Sequence, residues 1–349
     1  MDLLKSKLYC EDIDIAIAHS VGLNKLNGHS ILITGATGTI GSFIADLLIK
    51  YNESQKAGLK IYLAARNKSV LQNKYAFKEN NELKFLSYDM IQPVDFKVPI
   101  DFVIHAAGNA HPAAFNGDPS GTIIGNIVGT YNLLEYLKKN KGKRFLYVSS
   151  GEVYGDTSEL TEELEEKQSG YLDLLSSRSC YPISKRAAET LCASYYKQFG
   201  IETVIVRPSH TYGPCITKTD NRAHAQFIQN ALKHEDIVLK SAGKQMRSYT
   251  YIADCASGIL TVLAKGDAGE AYNIANENSR VTIAELAQII AEIEKCKVVF
   301  SIPDKADVVN QTPIQRQVLN AKKLEKLGWK GDYDIYRGLR HTLSILKEK

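Results

Sequence analysis

The chain has 349 residues, of which 44% are hydrophobic and 23% are charged, and its formal net charge is +4. This apolar share is typical of a packed globular protein and excludes wholesale disorder, while the length is sufficient for two domains. The sequence contains no long block of like charges and no apolar run that could span a bilayer, so we expect partners other than nucleic acid or membrane. The cysteines are scattered without a Cys-x-x-Cys pair, and acidic residues interrupt the stretch that an export signal would need. We therefore expect a cytoplasmic protein with reduced thiols and no metal site.

Short β-rich runs alternate with longer helical patterns over most of the first 275 residues. The predicted strands are Ser30–Thr34, Lys60–Ala64, Leu83–Ser87, Phe102–His105, Arg144–Ser149, Thr203–Arg207 and Ala271–Ile274. The predicted helices between them are Gly41–Lys50, Gly121–Asn140, Pro182–Phe199 and Ala223–Leu232. Several strands are nearly continuous apolar runs, as in parallel strands that are buried on both faces. The alternation predicts an α/β fold with a doubly wound parallel (Rossmann) sheet.

After Arg207, prolines and glycines interrupt this pattern, and shorter elements follow. The predicted division is an N-terminal extension (1–29), a dinucleotide-binding domain (30–207, with a returning segment near 248–275) and a smaller C-terminal substrate-binding domain (208–349). The extension contains a predicted helix, Asp12–His19, and could cover a site or join a dimer. In the C-terminal part, Val281–Lys295 is a predicted helix that begins with the capping-box pair Thr282 and Glu285.

A glycine-rich turn follows the first predicted strand of the sheet. Its glycines occupy the first, fourth and seventh positions of Gly35-Ala36-Thr37-Gly38-Thr39-Ile40-Gly41. Such a turn lets the backbone approach a pyrophosphate, and the helix that follows directs free N–H groups and its positive dipole end toward it. The expected cofactor contacts here are Gly35, Thr37, Gly38, Thr39, Ile40 and Gly41.

The end of the second predicted strand normally distinguishes NAD from NADP, because an acid there bonds the ribose hydroxyls. In this chain no acid is present, and Arg66 stands there instead. Arg66 could face a 2′-phosphate, stack on adenine or lie exposed, so NAD is expected and NADP stays open. Asp89 and Met90 are expected at the adenine, with Ala106 and Ala107 forming a floor of small side chains.

Tyr181 and Lys185 lie four residues apart after the fifth predicted strand. Pro182 suits the first turn of a helix, and this spacing places both side chains on one helix face. An ammonium group beside a phenol lowers the pKa of the phenol, which makes a tyrosinate available as a general base. Ser150, near the end of the fifth strand, could bond the same substrate hydroxyl.

The motifs TGATGTIG, HAAG, SSGEVYG and YPISK, in this order, resemble those of the extended short-chain dehydrogenase/reductases that modify nucleotide sugars. The resemblance covers roughly residues 30–345. It implies oxidation of the sugar C4 hydroxyl by tightly bound NAD, chemistry on the 4-keto intermediate and, in many members, return of the hydride. On this basis Ser150 positions the hydroxyl, Tyr181 is the base and Lys185 tunes its pKa, and Tyr181 and Lys185 are also expected to contact the cofactor.

Further motifs are similar to those of the UDP-glucuronate decarboxylases: Asn109–Pro112, Glu152–Gly155, Arg178–Tyr181, Asn221–Arg222 and Gln245–Tyr249. A ketone at C4 is β to the C6 carboxylate, so a uronic acid in this state loses carbon dioxide readily. Glu152 is then expected to relay a proton, or else to cap the turn at Gly155. Asn109, His210, Arg222 and Arg247 are the expected substrate contacts. The two arginines are expected to bind the pyrophosphate, with the sugar carboxylate as the other ligand for Arg247.

Two departures keep several activities open. Gly151 stands where the decarboxylases carry a hydroxyl residue and the 4,6-dehydratases an aspartic acid, which argues against dehydration and weakens decarboxylation. His210 replaces an Asn of the relatives, which indicates a changed sugar or nucleotide. We therefore expect a decarboxylase or 4-epimerase, with an NADPH-dependent reductase, a 4,6-dehydratase and a non-catalytic NAD(P)-sensing protein as alternatives. The resemblance also implies a homodimer that forms through the helices Gly121–Asn140 and Pro182–Phe199.

Overall fold

The computed structural model describes residues 3–75, 81–157, 162–217, 219–301 and 314–348. Its helices are α1 (Lys7–His19), α2 (Thr39–Gln55), α3 (Lys68–Lys74), α4 (Pro112–Gly117), α5 (Pro119–Asn140), α6 (Cys180–Phe199), α7 (Ala223–Leu232), α8 (Ile252–Lys265), α9 (Ile283–Glu294), α10 (Lys322–Glu325) and α11 (Ile335–Lys347). Its strands are β1 (Ser30–Thr34), β2 (Lys60–Ala65), β3 (Leu83–Ser87), β4 (Phe102–His105), β5 (Arg144–Val148), β6 (Glu202–Pro208), β7 (His210–Tyr212), β8 (Ile237–Leu239), β9 (Met246–Tyr251), β10 (Ala271–Ile274), β11 (Arg280–Thr282), β12 (Val298–Phe300) and β13 (Arg316–Gln317). In this part of the chain no helix has both the length and the apolar character needed to cross a bilayer.

A parallel sheet forms the centre of the fold, and within the described residues it has seven strands in the order β10-β6-β5-β4-β1-β2-β3. All the strands predicted for this sheet are present, and their ends differ from the prediction by at most one residue. The strand order changes direction between β1 and β4, so that helices cover both faces. Helices α2 and α8 pack on one face, and α5 and α6 on the other. The predicted doubly wound fold is confirmed.

Helix α8 lies in the returning segment, where no helix was predicted. All of its residues from Ile252 to Ala264 are buried. A helix that is buried all round lacks the solvent-exposed polar face that produces a clear 3.6-residue period, so periodicity alone does not distinguish its sequence from that of a buried strand. The helices predicted at Gly41–Lys50 and Pro182–Phe199 are present but begin two residues earlier, because helix starts are less marked in sequence than helix faces.

The C-terminal half contributes smaller sheets beside the carboxyl ends of the central strands. Strand β9 pairs with β7, β11 and β13, while β8 pairs with β12. Most of these strands have two or three residues, too few to produce a recognisable alternation. The helix predicted at Val281–Lys295 is found as α9, and its capping box between Thr282 and Glu285 is confirmed. The division into domains at residue 207 stays a prediction.

The N-terminal extension joins the helix layer of the fold, since α1 packs against α2, α8 and α11. Asp12 on α1 is fully buried. Its carboxylate accepts hydrogen bonds from the hydroxyls of Tyr251 and Tyr333 and lies 2.7 Å from Nδ1 of His341. One carboxylate thus ties the extension to β9 and to the C-terminal helix α11.

Replacing Asp12 by Ala is expected to lower the free energy of unfolding by about 3 kcal/mol, because buried hydroxyls lose their acceptor. Asp14→Ala is the matched control on the same helix. Asp14 is mostly exposed and pairs with Lys50, so its loss is expected to cost less than about 1 kcal/mol. Urea unfolding measures both values. Equal losses would contradict the structural role of Asp12.

Candidate active site

The glycine turn between β1 and α2 is closely packed. A Cβ on Gly35, where φ is +69°, would lie 2.7 Å from the backbone of Ala106, and one on Gly41 would lie 2.3 Å from the Gly35 oxygen. Gly38 is the N-cap of α2 and provides no side-chain cap. The amino end of α2 therefore keeps backbone N–H groups for another acceptor.

A cavity of about 160 Å³, here called the glycine-loop cavity, opens beside this turn. Its walls are Gly35, Thr37, Gly38, Ala65, Arg66, Tyr88, Met90, Ala106, Ala107, Gly108 and Asn109. Most of the predicted cofactor contacts thus meet in one place, and Tyr88 is an addition. Small side chains with a bare helix terminus fit the pyrophosphate of a dinucleotide.

Four of the contacts predicted at the glycine turn and the adenine lie outside this wall. Ile40 instead lines the cavity that contains Tyr181 and Lys185. Thr39 and Gly41 belong to the first turn of α2, outside this wall, and the Asp89 carboxylate accepts a hydrogen bond from the Ile91 N–H, 3.2 Å away. Asp89 therefore caps its own turn. Asn109, predicted at the substrate, lies in the glycine-loop cavity and donates to Thr122 Oγ1. Its substrate contact stays a prediction.

A second cavity of about 120 Å³, the reactive cavity, contains the predicted catalytic side chains. Tyr181 in the first turn of α6 and Ser150 after β5 both line this cavity. Ser150 Oγ also accepts from the Glu152 N–H at 3.1 Å. Lys185 Nζ lies 5.8 Å from the centre of the Tyr181 ring and donates to the Val148 carbonyl oxygen at 2.8 Å. The structure brings these four residues together in one cavity.

The pKa values in the reactive cavity differ from expectation at one point. Burial lowers the pKa of Lys185 to about 8. The pKa of Tyr181 is raised to about 12, first by burial and then by Glu152, against the lowering effect of the Ser150 hydrogen bond. The predicted lowering of the Tyr181 pKa by Lys185 is therefore wrong for the protein chain by itself, because desolvation of the phenolate outweighs the attractive terms.

Glu152 forms an ion pair with Arg178 at 2.9 Å. The Arg178 guanidinium lies 4.5 Å from the centre of the Phe115 ring, which stacks on Tyr181 with a centroid distance of 5.1 Å. The turn at Gly155 is capped by the backbone oxygen of Glu152, so the carboxylate is not the cap. Phe115 was missed, because nothing in its local sequence distinguishes it from an ordinary core residue.

A third cavity of about 740 Å³, the outer cavity, adjoins the reactive cavity. Arg222 and Arg247 both line it. Arg222 forms a bidentate pair with Asp220. Arg247 is 3% exposed and donates to the carbonyl oxygens of Met246, Ile314 and Gln315. In the described part of the chain no carboxylate forms an ion pair with Arg247, and its hydrogen bonds go to neutral carbonyl oxygens, while the Glu152 charge acts on it from a longer distance.

Histidines contribute neutral rings to this region. The ring of His210 on β7 lies beside that of Tyr249, with a centroid distance of 5.5 Å and a tilt of 51°. Burial, together with Arg247, holds the pKa of His210 well below the usual range. His224 on α7 lines the outer cavity, and its buried Nε2 has no hydrogen-bond partner within the described residues. Burial and Arg222 lower the pKa of His224 to about 3. His224 had no sequence signal beyond its position next to Arg222.

Acidification is expected to destabilise the protein through these buried rings. The unfolded chain binds a proton at His224 below pH 6.5, whereas the folded chain does so only near pH 3. Stability therefore falls as pH decreases through this window, by about 2 kcal/mol for this residue between pH 7 and pH 5. We expect His224→Gln to reduce the fall by this amount. His234→Asn, at an exposed histidine, should leave the fall unchanged. Urea unfolding at both pH values measures the difference, and equal falls in all proteins would contradict the expectation.

Comparison with known proteins agrees with the dinucleotide site that the geometry indicates. The model of the NAD dependent epimerase/dehydratase family matches residues 31–275. The chain belongs to this family. Within the described residues, no group of three potential metal-binding side chains comes together.

Relatives narrow this family assignment. The chain is 33% identical over 313 residues to UDP-glucuronic acid decarboxylase 6 of Arabidopsis thaliana, covering 88% of this chain and 86% of the relative. Its fold is similar to UDP-glucuronic acid 4-epimerase from Bacillus cereus, solved with UDP-glucuronic acid and NAD, with TM-score 0.75, 23% identity and coverage of 91% and 99%. It is also similar to dTDP-glucose 4,6-dehydratase from Streptomyces venezuelae, solved with NAD, with TM-score 0.77, 23% identity and coverage of 92% and 97%. The chain is therefore an enzyme of the nucleotide-sugar decarboxylase, epimerase and dehydratase group.

Proposed function

We propose that this enzyme oxidises C4 of UDP-glucuronate with NAD and decarboxylates the resulting 4-keto acid. The observation that carries the proposal is the position of Arg247. Among the described residues, the hydrogen-bond partners of this buried guanidinium are all neutral carbonyl groups, and such a setting favours an anionic ligand. Arg247 lines the same cavity as Glu152, and this outer cavity adjoins the reactive cavity that contains Tyr181.

Tyr181 is proposed to take the proton of the C4 hydroxyl while Ser150 bonds the same oxygen. Bound NAD supplies a hydride acceptor and a positive charge. Lys185, held by the Val148 carbonyl oxygen, would direct its charge toward the phenol and the cofactor. Gly35, Gly38 and the first turn of α2 would hold the pyrophosphate.

Once C4 is a ketone, loss of the C6 carboxylate leaves an enolate that requires a proton at C5. Glu152 is proposed to relay this proton. The hydride then returns to C4 and Tyr181 returns its proton to the C4 oxygen, so that the cycle ends in a UDP-pentose with no net oxidation. Arg178 holds the Glu152 carboxylate in place and stacks on Phe115 beside Tyr181. The pair therefore holds a proton carrier in a fixed position beside Phe115 and Tyr181.

Incubation with UDP-glucuronate tests the proposal. We expect one carbon dioxide for each nucleotide sugar consumed, formation of a UDP-pentose and no net change in nicotinamide absorbance. UDP-galacturonate formed without carbon dioxide would establish the 4-epimerase instead. Net consumption of NADPH would indicate the reductase, and loss of water from the sugar would indicate the 4,6-dehydratase. Absence of turnover with every nucleotide sugar would favour the sensing protein.

The cofactor is proposed to be NAD, with NADP as the alternative because Arg66 lines the glycine-loop cavity. Mass spectrometry of the purified protein after denaturation distinguishes the two by the mass of the 2′-phosphate. Release of NADP alone would contradict the proposal.

A homodimer through α5 and α6 is also proposed. These helices pack against each other and expose apolar side chains that include Ile124, Tyr131, Tyr196 and Phe199. Such a surface is typical of a face that is covered by a partner. Light scattering after size-exclusion chromatography is expected to give twice the mass of one chain, and the mass of a single chain would contradict the dimer.

A further inference from the structure

The reactive cavity and the outer cavity share a small set of wall residues. They are Ala110, Glu152, His210, Arg222 and Gln317, and we call this set the neck. A nucleotide sugar whose C4 lies at Tyr181 and whose nucleotide fills the outer cavity must pass its sugar through the neck. Gln317 is the one member that the sequence analysis did not connect with function.

Gln317 is rigidly positioned. It lies on β13 opposite Arg247 of β9 and is 3% exposed. The chain just after it is fixed on two sides, by a bond from the Leu319 N–H to Ser248 Oγ and by a bridge between Leu319 and Leu164. An amide held in this way keeps one orientation and can therefore select a ligand group.

The amide has hydrogen-bonding capacity left for a ligand. Its Nε2 donates to the Gly151 carbonyl oxygen at 2.9 Å, and because a carbonyl oxygen only accepts, this contact fixes which end of the amide is nitrogen. A primary amide has a second N–H and an acceptor oxygen. Neither makes a hydrogen bond to another described residue.

The chain just after β13 also lies against Gly151. A Cβ built on Gly151 would lie 3.1 Å from Cδ1 of Leu319. A hydroxyl side chain at position 151 would therefore require the tip of the Leu319 side chain to shift. The nearest polar side chain that this segment brings to the neck is Gln317 itself.

We propose that Gln317 is a specificity-determining residue that donates its second N–H to the C6 carboxylate of the sugar. This inference rests on the proposed function, since it takes a nucleotide hexuronate as the ligand. The position opposite Arg247 places a guanidinium and an amide donor on adjacent strands, a combination that suits a carboxylate better than a neutral hydroxymethyl group.

Binding of UDP, UDP-glucose and UDP-glucuronate to the NAD-loaded protein tests the proposal. Binding is measured by calorimetry in a Tyr181→Phe background, because this variant is expected not to convert the sugars during the measurement. Gln317→Leu is expected to weaken UDP-glucuronate about 10-fold and UDP less than about 2-fold. Gln317→Glu, which adds a like charge, is expected to weaken UDP-glucuronate at least about 10-fold more than UDP-glucose.

Gln226→Leu is the matched control. Gln226 carries an amide in the wall of the outer cavity but outside the neck, so any change is expected to be equal for UDP and UDP-glucuronate. Equal weakening of UDP and UDP-glucuronate by Gln317→Leu would overturn the proposal and leave Gln317 as a support for Gly151. Equal effects of Gln317→Glu on both sugars would overturn the carboxylate contact. Should Gln317→Leu not fold, Gln317→Met serves with the same criteria.

These binding results are separable from the decarboxylase proposal. Selective loss of UDP-glucuronate binding, together with no release of carbon dioxide by the unmodified enzyme, would uphold the role of Gln317 and reject decarboxylation. If carbon dioxide is released but the Gln317 variants weaken all the ligands equally, decarboxylation is upheld and the role of Gln317 is rejected.

Discussion

Tyr181→Phe is expected to lower kcat by about 10³-fold, within the range that general base catalysis contributes. The phenol of Tyr181 is buried beside Ser150 in the reactive cavity. Among the described residues that line this cavity, Tyr181 is the only one with a phenol, and Lys185 brings an ammonium group close to it. Phe keeps the ring that stacks on Phe115, so the fold and the binding of nucleotide sugar should change little.

Tyr196→Phe is the control on the same helix. Tyr196 is 40% exposed, and removal of its hydroxyl is expected to leave kcat within about 2-fold. Steady-state kinetics with a thermal unfolding curve for each variant distinguishes a chemical loss from a folding loss. A Tyr181→Phe enzyme with kcat near that of the unmodified protein would reject Tyr181 as the base.

Gly41→Ala is expected to abolish retention of the dinucleotide and to lower the free energy of unfolding by more than about 3 kcal/mol. Helix propensity alone would predict the opposite sign, since Ala is favoured over Gly inside a helix by about 1 kcal/mol. The sign is reversed because the new Cβ would lie 2.3 Å from the Gly35 oxygen and 2.8 Å from its carbonyl carbon. Both are backbone atoms, so relief requires the turn itself to move.

Gly117→Ala provides the matched control for this prediction. Gly117 is the last residue of α4, and a Cβ there would meet nothing within 4 Å. We expect this variant to retain the cofactor and to unfold at the same urea concentration as the unmodified protein. Cofactor content is measured by the absorbance of the denatured protein. Full retention by Gly41→Ala would contradict the close packing of the turn.

Most of the fold could be predicted because buried parallel strands and crossover helices leave strong local patterns. All the strands of the central sheet were located in this way. Helix α8 was missed because complete burial removes its polar face, and β9 and its partners were missed because their pairing brings together short segments far apart in the chain. Local patterns do not contain that information.

The site followed the same rule. The glycine turn and the Tyr181–Lys185 pair are local in sequence, and the structure places them in adjoining cavities. Gln317 contacts Gly151 across 166 positions of the chain, and Phe115 reaches Tyr181 only through folding. The direction of the Tyr181 pKa shift was wrong because it depends on burial, which spacing does not reveal.

The isotope content of the product formed in deuterium oxide tests C4 oxidation and decarboxylation together. If the hydride leaves and returns at C4 and the enolate is protonated at C5, the product from UDP-glucuronate will be lighter by carbon dioxide. It will carry solvent deuterium at C5 and protium at C4. Nuclear magnetic resonance and mass spectrometry of the isolated product measure all three features. A product that keeps its carboxylate, or that lacks deuterium at C5, would contradict the proposed reaction.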